Sequence, residues 1–140
     1  MTSHAARPVH QFPVVRQHMT PGPITIAANQ SLATARRAML DHRIRHLPVL
    51  AAGRIAGLLS ERDLFLVESL PGVDPSAVRV EEAMVEDVFT VEADAPIAEV
   101  VETMIDQKVG SAIVVEGQHV VGVFTTIDAL RALHGLLEQP

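Results

Sequence analysis

The chain predicts an α/β (α+β) fold: two pseudo-symmetric β-α-β-β-α repeats packed as one module. Three observations carry that expectation. The sequence aligns with itself at an offset of 65 residues, each copy alternates extended and helical patterns in the same order, and the composition is that of an ordinary globular chain. Met19 to Leu64 match Met84 to Ala129 without a gap, with nine of 46 positions identical, among them Met19/Met84, Thr25/Thr90, Gly57/Gly122 and Asp63/Asp128. Many remaining pairs exchange like for like, as in Leu32/Ile97, Arg43/Lys108 and Ser60/Thr125. A unit this short buries its own core poorly, so two copies are expected to pack together.

Each copy opens on a short turn, Val15 to Met19 or Val80 to Met84. An extended run follows, Ile24-Thr25-Ile26 or Val88-Phe89-Thr90-Val91, rich in the β-branched and aromatic residues that suit a strand. A helix comes next, with Asn29 and Asp94 placed as N-caps and Pro96 in the first turn. Its apolar stripe is Leu32, Ala35 and Met39 in the first copy, and Ile97, Val100, Val101, Met104 and Ile105 in the second. Two apolar runs around Gly53 (Leu47 to Leu50, Ile55 to Leu59) and two around Gly117 (Ala112 to Val115, Val120 to Phe124) read as hairpins. Closing helices are expected from Glu61 to about Ser69, stopped by Pro71-Gly72, and from Thr126 to about Glu138. The organisation is therefore an arm over 1–13, a repeat over 14–68, a linker over 69–79 and a second repeat over 80–138.

Composition excludes several classes. The 140 residues are 48% hydrophobic and 20% charged, which argues against disorder, and the lack of Cys removes disulfides, thiolate metal sites and thiol nucleophiles. No apolar run approaches a membrane span and no signal-peptide core opens the chain, so a cytoplasmic protein without membrane association is expected. Residues 1–70 carry eight basic against four acidic side chains, a net of +4, and residues 71–140 carry three against thirteen, a net of −10. With no basic run and only four aromatic residues, nucleic-acid binding is not expected, whereas a small anionic ligand near the basic half is compatible. The chain shows no nucleophile elbow, zinc-protease helix, phosphate-binding loop or dinucleotide turn, and it is not expected to be an enzyme. His42 and His46 have i,i+4 spacing, but the run crosses the expected helix end and no third ligand follows at motif spacing, so no metal is expected. The recurring Met19, Met39, Met84 and Met104 read as core filler.

The doubled unit, with Met19-Thr20 opening the first copy, Arg45-His46-Leu47-Pro48-Val49 inside it, and Gly57-Leu-Leu-Ser60-Glu-Arg62-Asp63 closing it, resembles the CBS (cystathionine β-synthase) domain pair, or Bateman module. Copy two matches at Val115-Glu-Gly and Gly122-Val-Phe-Thr125-Thr-Ile-Asp128, so the likeness covers roughly residues 14–138. The resemblance implies a stand-alone regulatory module that binds an adenosyl ligand (AMP, ADP, ATP or S-adenosylmethionine) in clefts between the repeats, needs no obligatory cofactor, forms a homodimer and acts on an effector protein in trans. It also implies that Thr25 and Thr90 face the ligand and that Arg45 and His46 help hold phosphate. Their matches Gly110 and Ser111, and Ile127 in place of Arg62, predict unequal sites.

A physical case stands beside the resemblance. The hydroxyl of Ser60 or Thr125 and, three residues on, the carboxylate of Asp63 or Asp128 stand at the first turn of a helix, where unpaired N–H groups favour anions. Asp63 offers acceptors for two ribose hydroxyls, Ser60 and the N–H groups offer donors for phosphate, and Arg62 adds positive charge. Gly57 lets backbone or ligand approach closely. The same Ser-x-x-Asp and Thr-x-x-Asp spacing is also that of a capping box, which satisfies the helix with no ligand. A ligand-free dimerisation or docking module is therefore the alternative to a sensor.

Overall fold

The computed structural model describes residues 13–22 and 24–139; apart from Pro13, the expected arm lies outside the described residues. The elements follow the expected β-α-β-β-α order twice, with one unexpected addition, a two-residue strand at Thr20–Pro21 that opens the first copy. After a 3₁₀ turn at Val15–Gln17 come β1 (Thr20–Pro21), β2 (Ile26–Ala27), α1 (Leu32–His42), β3 (His46–Ala51), β4 (Arg54–Ser60) and α2 (Glu61–Glu68). After a second 3₁₀ turn at Val80–Glu82 come β5 (Thr90–Glu92), α3 (Ile97–Gln107), β6 (Ser111–Glu116), β7 (His119–Thr125) and α4 (Thr126–Leu137).

The chain forms two compact units, and neither is one continuous repeat. One contains residues 24–88; the other joins residues 13–22 to residues 89–139. The first holds a sheet in the order β2-β3-β4, the second a sheet in the order β1-β7-β6-β5. Each repeat's opening turn thus packs in the unit built on the other repeat's hairpin: Thr20 pairs with Val123, and Val85 bridges Leu58. This exchange cancels the charge contrast between sequence halves. Residues 24–88 carry seven basic against nine acidic side chains, residues 13–22 with 89–139 three against eight, so both units are acidic.

Each unit buries its own core. Leu32, Ala35 and Met39 of α1 pack with Leu47, Val49, Leu59 and Leu64, joined by Val80 from the second 3₁₀ turn. Val100 and Met104 of α3 pack with Ala112, Val114 and Phe124, joined by Val15 from the first. Ile105, expected in that stripe, is instead exposed, as is its match Leu40. Arg36 of α1 hydrogen-bonds Glu68 of α2 through Nε at 3.1 Å and pairs with it through a second nitrogen, which holds the guanidinium above its ordinary pKa range.

Three local expectations need correction. The first extended run is short because Pro48 has no N–H. In the second unit Ile113 donates to the Phe89 carbonyl at 2.8 Å and Thr90 pairs with Ile113, whereas the matching donor to Ile24 is absent, and β2 starts only at Ile26. The N-cap of α1 is Ser31, whose hydroxyl accepts from the Thr34 N–H at 3.1 Å, while Asn29 lies in the preceding turn. Pro96 itself occupies the N-cap of α3, and Asp94 pairs with Arg16 at 3.1 Å.

The hairpin turns differ in one informative way. In the first, Ala52 (φ 52°) and Gly53 (φ 77°) are both left-handed; the residue matched to Ala52 is Gly117, also left-handed at φ 62°. A Cβ in that region is strained, and Asn-Gly suits such a two-residue turn better. Ala52→Asn is expected to raise stability by about 0.5–1 kcal/mol, read as a higher urea midpoint with an unchanged slope.

Candidate functional site

In both units the last strand hands the chain straight to a helix, and the strand's final residue is the cap. Ser60 Oγ accepts from the Asp63 N–H at 3.0 Å, and Thr125 Oγ1 accepts from the Asp128 N–H at 3.3 Å. The strand partner brings a second segment to each turn: His46 lies opposite Ser60, and Ser111 lies opposite Thr125. The Glu61 N–H donates to the Arg45 carbonyl at 2.8 Å, and the Thr126 N–H to the Gly110 carbonyl at 3.0 Å. The folded chain thus gathers Arg45, His46, Ser60, Arg62 and Asp63 at one helix start, and Gly110, Ser111, Thr125, Ile127 and Asp128 at the other.

The two carboxylates have different surroundings. Asp128 is 2% exposed. It accepts from the Thr125 N–H at 2.9 Å, the Thr125 hydroxyl at 3.1 Å and the Thr20 hydroxyl at 3.0 and 3.3 Å, and Arg131 stands 3.5 Å away. Here the capping box is complete, and a hydroxyl from 108 residues away supplements it. Asp63 is only half-buried, and its Oδ2 accepts from the Ser60 hydroxyl at 2.9 Å. No hydroxyl stands where Thr20 stands, because the matched residue is Val85.

Charge separates the turns further. Arg45 and Arg62 are exposed at the first, Arg45 lying 4.0 Å from Glu61, and His46 is half-buried and engaged with neighbouring groups. A single exposed ion pair at that distance is weak and leaves the guanidinium able to turn to another anion. The second turn has neutral residues at all three matching positions. The threonines expected to face a ligand lie one element away: Thr25 just before β2, half-buried, and Thr90 opening β5, exposed. The reasoning from sequence missed Thr20 and Val85. The only signal available was one unlike pair beside the identical Met19/Met84.

Gly57 and Gly122 admit backbone. A Cβ on Gly57 would lie 2.6 Å from the Val85 carbonyl oxygen, and one on Gly122 would lie 2.6 Å from that of Thr20. Among the described residues no group of three or more His, Asp or Glu could hold a metal ion, and no helix is long and apolar enough to cross a membrane.

Two β-α-β-β-α repeats, each ending in a hydroxyl-x-x-carboxylate helix start, define a class of paired regulatory domains. The chain belongs to the CBS domain family, which matches residues 14–69 and 80–135. Hypoxic response protein 1 of Mycobacterium tuberculosis is 28% identical over 119 residues, 84% of this chain and 83% of that protein. The CBS domain pair of protein MJ0100, solved in complex with 5′-methylthioadenosine and S-adenosyl-L-methionine, superposes with a TM-score of 0.77 at 26% identity, covering 89% of this chain and 98% of that one. The structure of Hypoxic Response Protein I with two coordinated zinc ions gives 0.70 at 26% identity, covering 91% and 100%.

Proposed function

We propose that this chain is a non-catalytic sensor that takes an adenosyl compound at the Ser60–Asp63 turn and signals its occupancy to an effector protein in trans. The observation that carries this reading is the contrast between the carboxylates. Asp128 is buried and occupied by internal donors, whereas the chemically identical Asp63 is half-buried beside two exposed arginines. A ribose presents two vicinal hydroxyls, and a carboxylate with acceptor capacity to spare is the group that receives them. Arg45 and Arg62 supply charge for a phosphate, opposed by Glu61 in the same first turn. AMP, ADP, ATP and S-adenosylmethionine are the candidate ligands, with 5′-methylthioadenosine added because a CBS pair of this fold binds it. Bound ligand would shift the balance of two packing states by no more than the difference in its affinities for them.

The test is thermal unfolding followed by circular dichroism, since the chain has no Trp or Tyr. Each compound is added in turn, with GTP as control. Ligand at 100 times its dissociation constant adds about 2.7 kcal/mol, or roughly 5–10 °C in a chain of this size. No rise with any adenosyl compound would sink the sensor reading in favour of a ligand-free docking module.

Self-association has its own support. Helix α4 buries little beyond Asp128, and Ile127, Leu130, Leu133, Leu136 and Leu137 are all at least half exposed. So many exposed large apolar side chains on one helix are unusual for a monomer, and they fit a homodimer that covers them. Leu130→Glu places a charge among them and is expected to convert a dimer to a monomer in sedimentation velocity, with far-UV circular dichroism unchanged.

A further inference from the structure

We infer that residue 85 decides whether the Asp63 carboxylate is open to a ligand, and that Thr20 performs the closing role at Asp128. For its functional meaning the inference rests on the ligand reading above; the closure itself is a separate, geometric claim.

Positions 20 and 85 are equivalent in space as well as in sequence. Thr20 pairs antiparallel with Val123 and Val85 with Leu58, and these four residues are themselves matched across the repeat. The carbonyl oxygen of Thr20 would lie 2.6 Å from a Cβ on Gly122, and that of Val85 2.6 Å from one on Gly57. The preceding methionines also agree, with Met19 Sδ at 2.8 Å and Met84 Sδ at 2.7 Å from the same two points. Both helix starts carry the same hydroxyl-to-N–H cap. The pairing at this position, the glycine, the methionine and the hydroxyl-to-N–H bond of the cap are held in common, although the pairing continues to Pro21 in one unit only and the capping box is complete only at Asp128; at residues 20 and 85 themselves the side chain differs.

That difference is one atom type. Thr and Val have nearly the same shape, but only Thr donates a hydrogen bond. At Asp128 the Thr20 hydroxyl touches both carboxylate oxygens, at 3.0 and 3.3 Å, and Thr125 fills the remainder of Oδ2. A ribose diol would have to displace a donor already in place, and the site is 2% exposed. At Asp63 the methyls of Val85 donate nothing, and Val85 is 48% exposed. The substitution therefore keeps acceptor capacity on the carboxylate and sets an apolar surface beside it. Val85 is thus a positioning residue for the first-repeat site, and the inequality of the two sites is built into the opening segments.

The decisive variant is Val85→Thr, which changes almost no volume, with Val85→Ala as control for lost apolar contact. Affinities are read by isothermal titration calorimetry with AMP, S-adenosylmethionine and 5′-methylthioadenosine, and the free Val85→Thr protein is crystallised. The expected result is an introduced hydroxyl within hydrogen-bond distance of the Asp63 carboxylate and at least tenfold weaker binding of whichever probe the wild type takes, with a smaller loss in Val85→Ala. Unchanged affinity in Val85→Thr, or an equal loss in both variants, overturns the inference. If the wild type binds none of the probes, the ligand reading falls by itself; closure is then judged on the crystal structure, where a hydroxyl turned away from Asp63 overturns it.

Discussion

Asp63→Ala is expected to abolish the ligand-induced rise in melting temperature while leaving the free protein within about 1 kcal/mol of wild type, and Asp128→Ala is expected to do the reverse. At Asp63 the substitution removes one acceptor from the Ser60 hydroxyl, and that hydroxyl still caps the Asp63 position's own N–H. At Asp128 it removes an almost fully buried acceptor and leaves the Thr125 N–H without its partner, while the hydroxyl of the exposed Thr20 can turn to water. Leaving a donor without its partner in such a site costs about 1–3 kcal/mol, and a loss of about that size is expected there. Thermal unfolding of both variants with and without ligand separates the roles. Loss of ligand response in Asp128→Ala, with none in Asp63→Ala, would reverse the assignment of the sites.

Gly57→Ala and Gly122→Ala are each expected to destabilise by about 1–3 kcal/mol or more, although neither glycine needs an unusual backbone angle. The cause is the approach of a second chain segment. The new Cβ would sit 2.6 Å from a carbonyl oxygen in either case, closer than real contacts allow. The methionine sulfur is as close but can swing away; the carbonyl cannot. At Gly57 it accepts from the Leu58 N–H at 2.9 Å, and the Val85 N–H returns a bond of the same length, so withdrawing the segment breaks both. Trimming the side chain in Gly57→Ala/Met84→Ala should therefore restore little. Chemical denaturation of the single and double variants checks this, and full recovery in the double would mean that the sulfur was the obstacle.

Both expectations turn on what could be read from sequence and what could not. The helix starts were legible because Ser60-x-x-Asp63 and Thr125-x-x-Asp128 are local patterns, satisfied within one turn. The hairpins were legible because alternating apolar runs and turn glycines act over a few residues. The first strand was misjudged: the residue that shortens it, Pro48, lies on a different strand and acts by failing to donate across the sheet. The apolar stripe of α3 was read one residue too wide at Ile105, since periodicity does not show which flank of a helix meets the sheet. The motif alone left the choice between ligand site and cap open, and what the structure adds is that the two caps are unequal. Asp128 has the complete box and Asp63 does not.

By itself the sequence determined the doubled β-α-β-β-α order, the cores of the two helix-hairpin units, the helix caps at Ser60 and Thr125 and the membership of the CBS domain family. These follow from side-chain periodicity and from hydrogen bonds that close within a few residues. Only the tertiary structure decided that each opening segment packs on the hairpin of the other repeat, and hence that Thr20 meets Asp128 while Val85 bridges Leu58. The physical reason is range. A hydroxyl reaches a carboxylate only at about 3 Å, and no pattern in a linear chain shows which residues, 108 positions apart, the fold will bring to that distance.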